Sequence, residues 1–289
     1  ERFPGQESSP IEIIIKNGAS NLAAAENYAI ELAKFNGIVR VNPIQKYGDD
    51  LRIQAIQSMS SRSLEARDLI HQIRKLSAPK GTLIGGPAAD FTDSQDGIYS
   101  AVPWALLWIV ISVFILLFIF TNSMILPIKA VLLNGLSLSA TLGVLSYIFI
   151  GGHFKNIIGD FTSTGSLDIG TSILVAVVVF GLSMDYELFL LSRIKEEHLA
   201  GKNNEDSVAF GLQKSARIIT AAALILAVVF ASFVTSGVTP IKLMGLGTAF
   251  AVLLDATLVR AFLVPALMKL FGEFNWWAPK FLRRFTLDH

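Results

Sequence analysis

Long stretches without a charged side chain dominate the second part of this sequence. Four segments are free of Asp, Glu, Lys and Arg: residues 97–128, 130–154, 169–184 and 218–241. A fifth apolar segment, 243–268, is interrupted only by Asp255 and Arg260. A helix that crosses a membrane needs about 20 mostly apolar residues. The sequence therefore predicts five membrane-spanning helices, near residues 103–124, 128–150, 169–192, 217–236 and 243–267.

Two prolines and one lysine help to place the first two spans. Pro103 suits the first turn of a helix, so we expect the first span to start there. Pro127 and Lys129 are expected in the tight turn that connects the first span to the second.

The charged residues are concentrated before the first span. Residues 1–100 hold 23 of the 47 Asp, Glu, Lys and Arg residues, and the other 189 residues share 24. Over the whole chain 16% of the residues are charged, whereas a typical soluble domain has roughly 25%. We therefore expect a water-soluble domain at 1–100, a five-helix transmembrane domain at 101–268 and an amphipathic cytoplasmic tail at 269–289.

Net charge, cysteine content and motifs exclude several classes of function. A net charge of +1 gives no basic face for a polyanion, so no nucleic acid partner is expected. The absence of cysteine excludes disulfides, thiolate catalysis and cysteine-ligated metal. No phosphate-binding GxxxxGK[ST] motif occurs, so the sequence gives no support for ATP as the energy source.

The loop charges predict the orientation of the spans. One set of loops, which includes the C-terminal segment, carries ten Lys and Arg residues, and the opposite set carries two. Because positive residues concentrate on the cytoplasmic side, we expect the C-terminus inside and residues 1–100 outside the cell. The chain begins at Glu1 without a signal peptide. We therefore expect it to be part of a longer protein whose export signal or first helix lies upstream.

The first hundred residues show alternating strand and helix signals. Runs rich in β-branched residues indicate three strands and a short last strand. Apolar residues at helical spacing indicate two helices, the first of which Ser20 could cap. Their expected positions are a strand at 11–16, a helix at 20–35, strands at 37–44 and 51–59, a helix at 63–76 and a strand at 82–84. This βαββαβ order is typical of a ferredoxin-like domain, so the fold class is α+β, a helical membrane bundle with an N-terminal ferredoxin-like domain. We expect this domain to bind or gate and not to catalyse.

A carboxylate lies inside the third span. Asp185 follows the apolar run 169–184, and a charged side chain at mid-membrane costs roughly 2.5–3.5 kcal/mol. Such a residue normally faces the interior of a bundle and marks an ion or proton path. Asp185 and Tyr186 point about 100° apart on a helix, so each needs a partner on another helix. Gly181 would let a facing helix come close, and Phe189 could close the pocket on the cytoplasmic side.

Other polar residues of the spans have less specific interpretations. Glu187 lies nearer the cytoplasmic end and on another face than Asp185, with either a supporting role or an interfacial position. Asp255 and Arg260 could pair as a structural clamp, and Arg260 could also reach towards the cytoplasm. Thr220 can bond within its own helix and indicates little alone.

Several separated segments resemble the MMPL family of transporters, which belongs to the RND superfamily. The most similar segments are FGLSMDYELFLLSRIKEE (180–197), SARIITAAALILA (215–227), LLDATLVRAFLVPALMKLFG (253–272) and NWWAPKFLRR (275–284). The segment GGPAADFTDSQDGIYSAVPW (85–104) is similar to the approach to the helix that follows the second outer domain in that family.

The resemblance implies a protein of two similar halves, of which this chain is the second without its first helix. It implies that Asp185 and Tyr186 occupy the proton-relay positions, pairing with an Asp-Tyr pair of the missing N-terminal half, and that Phe189 lines the central cavity. It implies export of lipids or other amphiphiles across the bacterial cytoplasmic membrane, with protons as the coupling ion and no other cofactor. Since this chain holds one Asp-Tyr pair of the two, we do not expect it to transport by itself.

Two alternatives of other classes remain. A lipid sensor or scaffold that does not transport would be indifferent to collapse of the proton gradient. An intramembrane aspartyl protease would use Asp185 and Asp255, which lie in different spans, as a pair of carboxylates sharing a proton. The nearby Arg260 and the apolar surroundings of Asp255 argue against the protease, so we expect no enzyme.

Overall fold

The computed structural model describes residues 7–161 and 167–279. The chain divides between Trp104 and Ala105 into two compact units. The first contains a β-sheet with two helices and the beginning of a third helix, and the second contains long apolar helices. The last ten residues of the predicted tail, 280–289, lie outside the described residues.

The sheet of the first unit is antiparallel and has the expected order of elements. Its strands, with β3 pairing only with β4, are β1 (Ile11–Ile15), β2 (Ile38–Val41), β3 (Gln45–Tyr47), β4 (Asp50–Gln57) and β5 (Thr82–Gly85). The spatial order is β2-β4-β1-β5, with Ile13 opposite Ile53 on one side and Ile84 on the other. The ferredoxin-like βαββαβ prediction is therefore confirmed, with the short β3 as an addition to it.

Two helices cover one face of this sheet: α1 (Leu22–Leu32) and α2 (Leu64–Lys75). Alternate isoleucines of β1 are buried against them, as the period of two in a half-buried strand requires. The prediction that Ser20 caps α1 is wrong. Ser20 lies in a 3-10 turn where its hydroxyl donates to the Asn17 carbonyl, and the Asn21 side chain accepts the capping bond from Ala24 N.

A polar cluster on β1 and β4 joins Glu12, Arg52 and Gln54. Arg52 donates two hydrogen bonds of 2.7 Å to the Glu12 carboxylate, and Gln54 donates a third of 2.8 Å. The Arg52 bond lowers the pKa of Glu12 below its usual 4.5. A group whose pKa is lowered on folding stabilises the fold above its unfolded pKa and loses that effect as the pH falls through the folded pKa.

We expect the difference in stability between the native chain and Glu12→Gln to shrink as the pH is lowered from neutral to below the usual pKa of Glu12. Thermal unfolding of both proteins at a series of pH values measures this difference. A difference that stays constant over the whole series would contradict the assignment of the acid sensitivity to this cluster.

In the part of the chain that the structure describes, five helices are long and apolar enough to cross a membrane. The first of them begins in the first unit and ends in the second, and the other four lie in the second unit. The helices that follow β5, of which α5 is a single turn, are α3 (Pro87–Thr121), α4 (Ile125–Phe149), α5 (Lys155–Ile158), α6 (Ile169–Leu199), α7 (Asn204–Ser232), α8 (Thr239–Leu254) and α9 (Val264–Phe271). The prediction of five spans is confirmed.

Two helix starts differ from expectation. The first apolar helix does not begin at Pro103 but at Pro87, directly after Gly86 with its left-handed φ of 94°. Pro103 lies inside α3, where the loss of one backbone donor is tolerated as in other membrane helices. Pro127 and Lys129 are not in the turn before α4, since both are buried in its first turns, where a proline without an N–H is tolerated.

The helices α6 and α7 form a hairpin with a close contact at Gly211. A Cβ atom at Gly211 would lie 2.5 Å from Ile194 Cγ1 and 2.9 Å from the Ile194 backbone. Because backbone atoms cannot rotate away as a side chain can, a larger residue would have to push the two helices apart.

We expect Gly211→Ala to destabilise the bundle by about 1–3 kcal/mol, the usual cost of overpacking. The matched control is Gly143→Ala on α4, where the new Cβ would meet nothing within 4 Å. Alanine has the higher helix propensity, so the control variant should be as stable as the native chain or slightly more so. Thermal unfolding in detergent measures both, and equal midpoints for the two variants would contradict the close contact.

The last span is not one regular helix. Between α8 and α9 the segment Asp255–Leu263 is a π-helix, and a 3-10 turn at Gly272–Trp276 follows α9. A π segment adds residues to a turn and is frequent at functional sites. Here it contains Asp255 and Arg260.

Candidate functional site

The π segment buries an ion pair in the middle of the bundle. Asp255 is 5% exposed and Arg260 is 3% exposed, and the Arg260 Nη2 atom donates to the Asp255 carboxylate. The same nitrogen donates to the Ser183 carbonyl at 2.6 Å, which ties the last span to α6. The pair is therefore a clamp between two spans, and Arg260 does not extend to the surface.

Tyr186 lies beside this pair. The Arg260 guanidinium lies 5.0 Å from the centre of the Tyr186 ring, a favourable cation–π distance. A small cavity, large enough for about one water molecule, is lined by Ser183, Tyr186, Asp255 and Arg260 and by apolar side chains that include residues of α6, α7 and α8. Tyr186 thus finds its partner on another span of this chain.

Asp185 is placed differently from its neighbour. Its side chain is exposed on the outside of the five-helix bundle, near the middle of α6. No residue of the described ranges, 7–161 and 167–279, hydrogen-bonds or ion-pairs with its carboxylate. Gly181, one turn earlier on the same face, is also exposed, and a Cβ atom there would meet nothing within 4 Å. This face of α6 is open to another helix.

The cavity beside Asp255 does not include Asp185. Asp255 is paired with Arg260 and Asp185 points out of the bundle, so the structure does not bring the two carboxylates into one cavity. This arrangement gives no support to the aspartyl protease alternative, in which both acids would share a proton.

Glu187 is buried on the opposite side of α6 from Asp185. Its side chain is 7% exposed, and it accepts a hydrogen bond of 3.1 Å from the Asn134 amide on α4. Two residues on a helix separate side chains by about 200°, so an outward Asp185 requires an inward Glu187. An interfacial position for Glu187 is therefore wrong.

Lys129 is a further buried charge that the sequence analysis missed. It is 8% exposed and its ammonium group donates to the side-chain oxygen of Asn275, which follows α9. A second small cavity is lined by Lys129 and Glu187 together with apolar residues. The sequence did carry a signal for this position. Proline is favoured in the first turn of a helix, so Pro127 indicates a helix start, and Lys129 two residues later then lies inside that helix.

The two remaining predicted residues are less constrained. Phe189 is half-buried, and the Arg193 guanidinium lies 5.6 Å from the centre of its ring. Thr220 is exposed on α7 and does not line the cavities beside Asp255 or Glu187. Neither residue contributes a polar contact to the buried cluster.

The sequence of this chain matches known proteins along most of its length. A membrane protein of Streptomyces coelicolor is 42% identical over 76% of this chain and 31% of its own length. The trehalose monomycolate exporter MmpL3 of Mycobacterium tuberculosis is 35% identical over 98% of this chain and 31% of its own. The heme uptake protein MmpL11 of the same organism is 34% identical over 94% and 29%. The chain thus spans less than a third of the length of these relatives.

The family model of the MMPL family matches residues 54–286. The match includes the last part of the sheet domain and all five apolar helices, with the outward Asp185, the inward Glu187 and the buried Asp255–Arg260 pair. Because it covers most of the sequence and confirms the resemblance seen in the motifs, the chain belongs to the MMPL family.

Proposed function

We propose that this chain is the C-terminal half of a proton-driven MMPL exporter that moves lipids or other amphiphiles to the cell envelope. The observation that carries the proposal is the carboxyl group of Asp185 on the outside of the bundle, in the middle of an apolar helix and without a bonding partner among the described residues. In lipid such a group costs roughly 2.5–3.5 kcal/mol, and membrane proteins place it against protein or a water-filled path instead.

The partner that covers Asp185 is the other half of the same protein. The chain spans less than a third of its relatives, so a longer protein has enough sequence for a second set of spans. The open surface at Gly181 admits a helix at close range, as small residues do at membrane interfaces. In the proposed complex, Asp185 and Tyr186 face an Asp-Tyr pair of that half.

In this proposal, proton coupling arises because water reaches the Asp185 carboxyl group from one side of the membrane at a time. A carboxyl group that is covered by protein and reached by water from one side at a time binds a proton from one compartment and releases it to the other. One elementary charge that crosses the membrane potential yields about 2.3 kcal/mol per 100 mV. Tyr186, held against the Arg260 guanidinium, connects this event to the clamp between α6 and the last span.

The proposed location is the bacterial cytoplasmic membrane, with the sheet domain outside and the C-terminus in the cytoplasm. The loop charges support this orientation. The proposed cargo class is amphiphilic, in agreement with one relative that is named as an exporter of trehalose monomycolate. Another relative is named for heme uptake, so relatives of this chain differ in the molecule they are named for, and the proposal is restricted to the class of cargo.

The experiment is transport by the complete protein in proteoliposomes that contain a fluorescent phospholipid as the probe cargo. We expect movement of the probe when a pH gradient is imposed, and its loss when a protonophore collapses the gradient. Liposomes without protein control for spontaneous movement. Movement that persists unchanged after the gradient has collapsed would contradict proton coupling, and no movement under any gradient would favour the sensor or scaffold alternative.

A further inference from the structure

Glu187 is a buried carboxyl group to which the proposed function gives no role. In the described part of the chain, no lysine or arginine lies within ion-pair distance of it, and its hydrogen-bond partner is the neutral amide of Asn134. A buried carboxylate without a cation loses its hydration without compensation, whereas the neutral acid loses much less. Among the described residues, no direct ion pair therefore neutralises a negative charge on Glu187.

The charged groups that face Glu187 come from two elements. Lys129 faces it from α4, and Asp255 and Arg260 face it from the π segment. Asp255 and Arg260 are paired with each other, so their charges largely cancel. Lys129 is bonded to the uncharged side chain of Asn275, and its positive charge acts on Glu187 together with that of Arg260.

Two small cavities lie on the two sides of this part of α6. One is lined by Tyr186 together with the Asp255–Arg260 pair, and the other is lined by Glu187 and Lys129. Each is large enough for about one water molecule. Lys129 lies in the first turns of α4 and donates to the Asn275 side chain, so both residues are at the same end of the bundle. Polar groups therefore follow one another from the centre of the bundle towards the end that the loop charges predict as cytoplasmic.

We propose that Glu187 is a second proton carrier, which passes protons between the Tyr186 side of α6 and the Lys129 end of the bundle. This inference rests on the proposed proton-driven function. In the release step the O–H bond of the neutral acid breaks, the electron pair stays on the carboxylate, and the proton moves to a water molecule that enters the Lys129 cavity. The positive charge of Lys129 stabilises the carboxylate until a proton from the Tyr186 side restores the acid.

The test uses the complete protein in proteoliposomes and measures proton uptake with a pH-sensitive dye, normalised to folded protein. Glu187→Gln keeps the size of the side chain but removes the titratable group. We expect it to lower proton uptake by about tenfold or more. The matched control is Glu196→Gln on the same helix, where the carboxylate is exposed and pairs with Arg193, and it should leave uptake unchanged.

A second variant separates proton transfer from a structural role. Glu187→Asp retains a carboxyl group at a new position, so we expect measurable uptake with a shifted pH dependence. Uptake by Glu187→Gln equal to that of the native protein would overturn the inference, and so would an unchanged pH dependence in Glu187→Asp. If Glu187→Gln does not fold, the pH dependence of Glu187→Asp decides alone.

The same assay separates failure of this inference from failure of the proposed function. If Asp185→Asn abolishes proton uptake and Glu187→Gln does not lower it, the proton-driven function stands and the second carrier is wrong. If the native protein takes up no protons under an imposed gradient, both are wrong.

Discussion

Replacement of Asp185 by asparagine is expected to abolish transport by the complete protein. Asparagine has the size of aspartate and still forms hydrogen bonds, so it can fit the same interface between halves. It has no proton to release, because an amide does not titrate in the working range. We expect both proton uptake and movement of the probe lipid to fall by at least about 100-fold.

The asparagine variant needs two controls. One shows that it inserts into the membrane normally, and the other shows that removing a carboxylate elsewhere on the same helix has no effect. Its amount in the membrane and its elution on size exclusion should match the native protein, since the asparagine removes a costly charge from an apolar helix. Glu196→Gln, an exposed acid of the same helix, should transport at the native rate. Transport by Asp185→Asn at the native rate would rule out Asp185 as the relay group.

The second large effect is expected at the clamp between the last span and α6. Arg260→Met leaves Asp255 buried without its cation, and loss of one partner of a buried ion pair typically costs about 3–5 kcal/mol. Since Arg260 also donates to the Ser183 carbonyl, α6 should lose its fixed position against the π segment. We expect a strong decrease in the thermal unfolding midpoint and loss of transport.

The double variant Asp255→Leu with Arg260→Met separates stability from function. Replacement of both members of a buried pair by apolar residues is often neutral or stabilising, so the unfolding midpoint should recover. We expect transport to stay lost, because the double variant lacks the Arg260 guanidinium that contacts the Tyr186 ring. A double variant as unstable as the single one would show that the two side chains do not act as a pair, and recovery of transport would show that their charges are dispensable.

The architecture was largely predictable from residue patterns, because the signals are long and repeated. Charge-free runs determine the number of spans, and alternation of isoleucines in β1 determines the buried face of the sheet. Helix starts were less predictable. Pro103 lies inside α3 and Pro127 in the first turn of α4. Their positions were mispredicted because a proline before a helix, at its start or inside a membrane helix has a similar apolar local sequence.

The buried polar cluster was predictable only in part. The acids inside the spans stand out because charges are rare there, and Asp185 and Glu187 must point to opposite sides if α6 is regular. The partners of Glu187 and Lys129 are Asn134 and Asn275, which are neutral and distant in sequence, so no local pattern connects them. The π segment changes which residues of the last span face α6, and the sequence carries no clear signal for it.

The most direct test of the account is the structure of the complete protein in a lipid nanodisc, with attention to the surroundings of the Asp185 side chain. The account predicts that the other half covers this face of α6 and places a polar group within about 3.2 Å of the carboxylate, with a water-accessible route from at least one side. An Asp185 carboxylate that faces lipid chains, or that is bound to a permanent cation without access to water, would contradict it.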